Sequence, residues 1–226
     1  MLFDLRGRGR RRTIKVIYVA LAVLMGGGLV LFGIGGAVSG GLVDAISEGG
    51  GGGNNDKRLQ QRADSFETRT RANPGDARAW AELARARFLV AGQGGNQDDA
   101  TGGYTAAGKK ELRRVAQAWE RHLALAGERP DDSVAALMVQ AFSPGALDRP
   151  ADAVRAQEVV TEARPSPGTF VILAEVAYAA GQTRKGDLAA ERTLELAERD
   201  QRATLKARLD EAKQQAGAAS VPPASS

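Results

Sequence analysis

The residues with the clearest chemical potential lie between Gly92 and His122. Gly103-Tyr-Thr-Ala-Ala-Gly108-Lys109 fits the GxxxxGK spacing of a phosphate-binding loop. In such a loop, backbone N–H groups cradle the anion and the lysine meets its charge. The same chemistry needs a preceding strand and a Ser or Thr hydroxyl for magnesium. Lys110 stands in the hydroxyl position, and no strand pattern precedes the motif. Asn96-Gln-Asp-Asp-Ala-Thr-Gly-Gly103 is rich in oxygen donors but lacks the spacing and the late glutamate of a calcium loop. His122 is the single histidine, so no histidine cluster can form, and no paired carboxylates stand out for acid–base work. The absence of cysteine excludes disulfides and thiolate metal sites. The sequence therefore predicts no enzyme, no cofactor and no metal, with a mobile surface loop around Gly103–Lys109.

The charge distribution narrows the partners. The 226 residues carry a formal net charge of +4. Residues 1–53 hold six cations, Arg6, Arg8, Arg10, Arg11, Arg12 and Lys15, against Asp4, Asp44 and Glu48. The rest of the chain is nearly balanced, with 25 basic and 24 acidic residues. A near-neutral module has little long-range attraction for a phosphate backbone, so no nucleic-acid partner is expected.

The arginine cluster is explained instead by the apolar segment on its C-terminal side. Val16 to Val43 is an uncharged run of 28 residues, against the roughly 20 a helix needs to cross a bilayer. A cleaved secretory signal has a shorter apolar region, about 7–15 residues. The nearest approach to a cleavage site, Ala37–Gly41, lies late in the run. The expectation is an uncleaved transmembrane helix over 16–43 behind a basic cytoplasmic tail over 1–15. Cationic flanks stay cytoplasmic, so the chain after Val43 is expected outside. That makes a single-pass protein of a bacterial plasma membrane, with its N-terminus inside. Gly36-Ala-Val-Ser-Gly40 is a GxxxG that lets membrane helices approach closely, so Gly36 and Gly40 are candidate helix-packing residues.

The remaining segments must position whatever the chain presents. Residues 44–56, including Glu48-Gly-Gly-Gly-Gly-Gly-Asn-Asn-Asp56, read as a flexible linker. Amphipathic helical patterns then recur over 57–72, 76–92, 109–132, 132–145, 149–165, 168–182, 184–200 and 201–215. Residues about 92–109 form a Gly-rich insertion, and 216–226 read as a disordered tail. The fold class is all-α.

The helical segments hide a repeat. Trp80-x-x-Leu83-Ala84 recurs as Phe170-x-x-Leu173-Ala174. Ala118 precedes Pro130, and Ala153 precedes Pro165, by 12 residues each. Small alanines let paired helices touch, large aromatics fill the gap between neighbours, and prolines stop the second helix of a pair. This pattern resembles the tetratricopeptide-repeat family, whose period is 34 residues, over residues 57–215. Arg87 stands at one of the family's aromatic positions, with Phe88 following, and Ala136 takes the place that Trp80 holds in the first repeat. The resemblance implies a helix-pair solenoid whose first helices line a concave binding face. Carried over by position, that face holds Arg78, Arg85, Phe88, Leu89, Val134, Leu137, Val171, Glu175 and Tyr178. Cations, aliphatics and aromatics in a row suit an extended peptide or a partner's helix. An anchor followed by extracytoplasmic repeats is also similar to bacterial envelope proteins beside the export channel. The expected function is a scaffold for a protein partner or exported peptide, with a place near the export machinery. The alternative is a structural, self-associating membrane protein whose Gly-rich span carries the interaction.

Overall fold

The computed structural model of the chain describes residues 52–98 and 100–219. The expected tail, the span 16–43 and its Gly36 and Gly40 lie outside them. Among the described residues, no helix is long and apolar enough to cross a membrane.

Among the described residues, eight α-helices follow one another: α1 (Gly52–Ala72), α2 (Ala77–Ala91), α3 (Ala106–Ala126), α4 (Asp132–Ala141), α5 (Pro150–Ala163), α6 (Pro167–Ala179), α7 (Thr183–Leu196) and α8 (Arg202–Ala219). The expected all-α class holds for these residues apart from two short strands, β1 (Gln97–Asp98) and β2 (Gly103–Tyr104). Consecutive helices pack as neighbours: α1 on α2, then the hairpins α2/α3, α4/α5 and α6/α7, with α8 laid across α6 and α7.

Local chemistry sets the ends. The turn Asn73-Pro-Gly-Asp76 stops α1, and the Asp76 carboxylate caps α2 by accepting the Ala79 N–H at 2.9 Å. Asp131 caps α4 through the Val134 N–H at 3.0 Å. Pro150 opens α5 with no N–H to leave unpaired. Ser166 and Thr169 form a reciprocal capping box at α6.

The core is built largely from alanine. Ala84, Ala91, Ala135, Ala141, Ala174 and Ala177 are fully buried, which lets helix backbones approach closely. Larger side chains, among them Leu112, Val115, Trp119, Val134 and Met138, fill the first apolar cluster across α2–α5. A second cluster joins Val154 to Val171, Tyr178, Ala189 and Leu209. Helix α5 serves both, because Ala153, Ala156 and Val160 face the first cluster and Val154 the second.

Two expected boundaries and one expected loop are corrected. Helix α1 begins at Gly52, inside the segment expected as linker, and α8 runs to Ala219, inside the expected disordered tail. Ala216 is half-buried against the second cluster, which extends that helix. The segment expected as a mobile loop is a pinned hairpin. β1 and β2 pair antiparallel, Gln97 opposite Tyr104, and the Tyr104 N–H donates to the Gly145 carbonyl at 3.1 Å. Thr105 caps α3 and also donates its hydroxyl to the Gly95 carbonyl at 3.0 Å. A Cβ at Gly108 would sit 2.2 Å from the Asn96 carbonyl oxygen, so only glycine fits where α3 passes the hairpin. The glycines of the GxxxxGK pattern thus serve backbone packing here.

Candidate partner-binding face

The nine residues expected on one face divide into three groups. Val134, Val171 and Tyr178 are buried at 0, 2 and 4 % exposure. They are corrected to core residues, since none has surface to offer. Val134 belongs to the short helix α4 and faces the first apolar cluster. Tyr178 is wedged onto α7, where its ring would lie 2.4 Å from a Cβ at Gly186, and its hydroxyl donates to Asp187 at 2.8 Å. Burial and the Asp187 carboxylate together push the Tyr178 hydroxyl well above the usual phenol range. The hydrogen bonds from Lys213 and Tyr178 hold the Asp187 carboxyl below its usual value.

Glu175 forms a second group with α8. Arg208 donates to both its oxygens, at 2.5 and 2.8 Å. This bidentate pair raises the Arg208 guanidinium further above its already high value. Helix α8 therefore covers the α6 part of the expected face, a contact between residues 33 positions apart in the chain.

Arg78, Arg85, Phe88, Leu89 and Leu137 form the third group, on α2 and α4. Arg78 is exposed, and Leu89 and Leu137 are half-buried outside both apolar clusters. Phe88 is half-buried against the first cluster. Arg85, a residue of the expected open face, has a side chain only 24 % exposed and tied to Glu82 at 3.4 Å and Asp131 at 3.3 Å. It spans from α2 to the first turn of α4.

His122 sits behind this junction. Its Nδ1 lies 2.9 Å from the Ala77 carbonyl, and its Nε2 accepts the Asp131 N–H at 2.8 Å. A carbonyl only accepts, so the partners assign the proton to Nδ1 and leave Nε2 as the acceptor. With its ring centroid 5.4 Å from that of Trp119, the histidine joins α3 to the starts of α2 and α4. It is a structural clasp, with both ring nitrogens engaged by backbone groups.

Sequence reasoning gives no role to Arg87, the most buried cation of the described residues. From α2 it reaches Glu67 at 2.5 Å and Asp64 at 3.4 Å on α1, and Glu111 at 3.3 Å on α3. Its Nε is buried without a partner. The only sequence signal is a charge at a position otherwise apolar in the repeat pattern.

Among the described residues, no group of three His, Asp or Glu side chains could hold a metal ion. No protein-family model, curated protein or solved structure matches the chain.

Proposed function

We propose that this chain is a single-pass protein of a bacterial plasma membrane. It carries a tetratricopeptide-like helical-repeat module outside the cytoplasm, as a scaffold for a protein partner or exported peptide near the export machinery. The observation that carries the reading is the succession of three helix hairpins, α2/α3, α4/α5 and α6/α7, between the outer helices α1 and α8. Their equivalent small residues, Ala84 and Ala174, are both fully buried. The uncharged run 16–43 behind the arginine cluster supports the anchor. Gly36 and Gly40 would pack it against a membrane partner or a second span.

The partner surface is narrower than the concave face as a whole. It comprises Arg78, Arg85, Phe88, Leu89 and Leu137, where half-exposed leucines lie beside cations. Such a mixture suits an apolar segment with acidic flanks. The test is site-specific photocrosslinking in native membranes, with the photoreactive side chain at Arg78, Leu89 or Leu137 and, as control, at Gln214 on α8. A discrete adduct at the first three positions that is absent at Gln214, and that Arg78→Glu weakens at positions 89 and 137, supports the reading. Adducts independent of position, or none, defeat it. A reporter fused after Ser226 that is active in the cytoplasm would defeat the topology.

A further inference from the structure

The charges of the helical module are divided along its length. Residues 52–126 carry thirteen Lys and Arg against nine Asp and Glu, while 127–226 carry twelve against fifteen. The basic half is also the half next to the apolar run. Residues 44–51, eight in number, separate the end of that run from the start of α1 in the sequence.

Within the basic half, helices α1 and α3 carry most of the exposed cations that lack an ion pair. Helices α1 and α3 flank α2, and the carboxylates of Asp64, Glu67 and Glu111 are drawn to Arg87 between them. Two of those carboxylates also meet a cation of their own helix, Glu67 with Arg71 at 3.2 Å and Glu111 with Arg114 at 2.7 Å. Lys57, Arg58, Lys110, Arg113 and Arg121 are exposed and have no ion-pair partner among the described residues. On α3, Lys110, Arg114, Gln117, Arg121 and Leu125 recur at intervals of three and four and so share one outward stripe. Leu125, 42 % exposed, ends that stripe with an apolar side chain.

We propose that the outer face of α1 and α3 rests on anionic lipid headgroups, with the acidic half of the module turned away from the bilayer. The inference rests on the reading of residues 16–43 as a membrane span. Cations near an anionic surface are each attracted by about a fivefold bias in occupancy, so five of them hold a tethered module down without inserting it. Leu125, exposed at the end of the basic stripe, can touch the headgroup region while the apolar face of α3 stays in the core. The partner surface on α2 and α4 is separate from this face and stays open.

The absence of cysteine allows a single reporter to be placed. The full chain, with Gln117→Cys carrying a donor dye, is reconstituted into phosphatidylcholine vesicles or into vesicles also containing phosphatidylglycerol. Both contain an acceptor-labelled headgroup, and Gln214→Cys is the control. Energy transfer at position 117 should rise in the anionic vesicles and fall back at 1 M salt, where the Debye length is about 3 Å. It should also fall back in the triple variant Lys110→Glu, Arg113→Glu, Arg121→Glu with unchanged helicity. Position 214 should change little. Equal transfer at 117 in both vesicle types overturns the proposal. So does transfer between labelled copies that is lost on dilution in lipid, which would mean the basic half of one copy meets the acidic half of another. Flotation with neutral vesicles reads the anchor separately. A chain that fails to float there lacks the span, yet salt-sensitive recruitment to anionic vesicles still decides the face.

Discussion

Replacing Arg87 with methionine should destabilise the helical module by about 3 kcal/mol. The guanidinium side chain is only 4 % exposed and is the one cation shared by Glu67, Glu111 and Asp64. Methionine keeps most of the stem's volume, so little cavity forms, and the loss is mainly electrostatic. Breaking a buried ion pair by removing one partner costs about 3–5 kcal/mol. The lower end applies because Glu67 and Glu111 keep 28 and 16 % of their side-chain surface, so water relieves part of their repulsion. For a module of this size, about 3 kcal/mol corresponds to a fall in Tm of about 6–12 °C. Arg78→Met, at an exposed site, should stay within about 0.5 kcal/mol of wild type.

The assay is denaturant unfolding followed by helical circular dichroism, with a compensated variant as the decisive arm. Arg87→Met combined with Glu67→Met and Glu111→Leu removes the stranded charges together with the cation. Because replacing a whole buried ion cluster by apolar side chains is often neutral or stabilising, the triple variant should recover most of the loss. Arg87→Lys should recover less, since one ammonium cannot fork between α1 and α3. An Arg87→Met variant as stable as wild type would refute the reasoning. So would a triple variant less stable than the single one, because the loss would then come from packing rather than from unpaired charge.

Three further outcomes rest on particular contacts. His122→Ala should cost about 1–3 kcal/mol, because it strands the Asp131 N–H at the junction of α2, α3 and α4; an unchanged denaturation midpoint would show the clasp to be idle. Gly108→Ala should cost about 1–3 kcal/mol, since the new methyl meets the Asn96 carbonyl, and differential scanning calorimetry should show it while Ala106→Ser on the exposed first turn changes nothing comparable. The Asp76 carboxyl is held below its usual value, first by the Ala79 N–H and then by Arg69. A folded-state pKa below the unfolded one gives stability that is present at neutral pH and is lost as pH falls below about 4, so the advantage of wild type over Asp76→Ala should shrink in that acid range and persist above it.

The helices are legible in the sequence because their signals are local. The Asn73–Asp76 turn, Pro150 and the Ser166–Pro167 start each act within one turn of the element they bound. The segment 92–109 is not legible as a hairpin, because strands of two residues have no periodicity to read. Its form depends on Gly108 passing Asn96 and on Tyr104 reaching Gly145, contacts that no short window contains. The outer ends of α1 and α8 escape sequence reasoning for a related reason. Gly-rich and Ala-rich flanks give neither start nor stop signals, and Ala216 is held by packing on a distant helix.

The binding face is the least legible part, and the reason is general to helical stacks. Periodicity fixes which side of a helix is apolar, but not which neighbour covers that side. Val134, Val171 and Tyr178 lie on their helices as expected, and other helices bury them. Glu175 is met by Arg208 from α8, and nothing in the α6 sequence requires that helix to fold back there. The same limit hides Arg87, whose three carboxylates come from two other helices. A charged residue in an apolar register is thus a signal in its own right. At such a position the cost of burial requires partners from neighbouring helices, so an Arg on a core face predicts that acids converge on it. Here Arg87 ties α1 to α3 through α2.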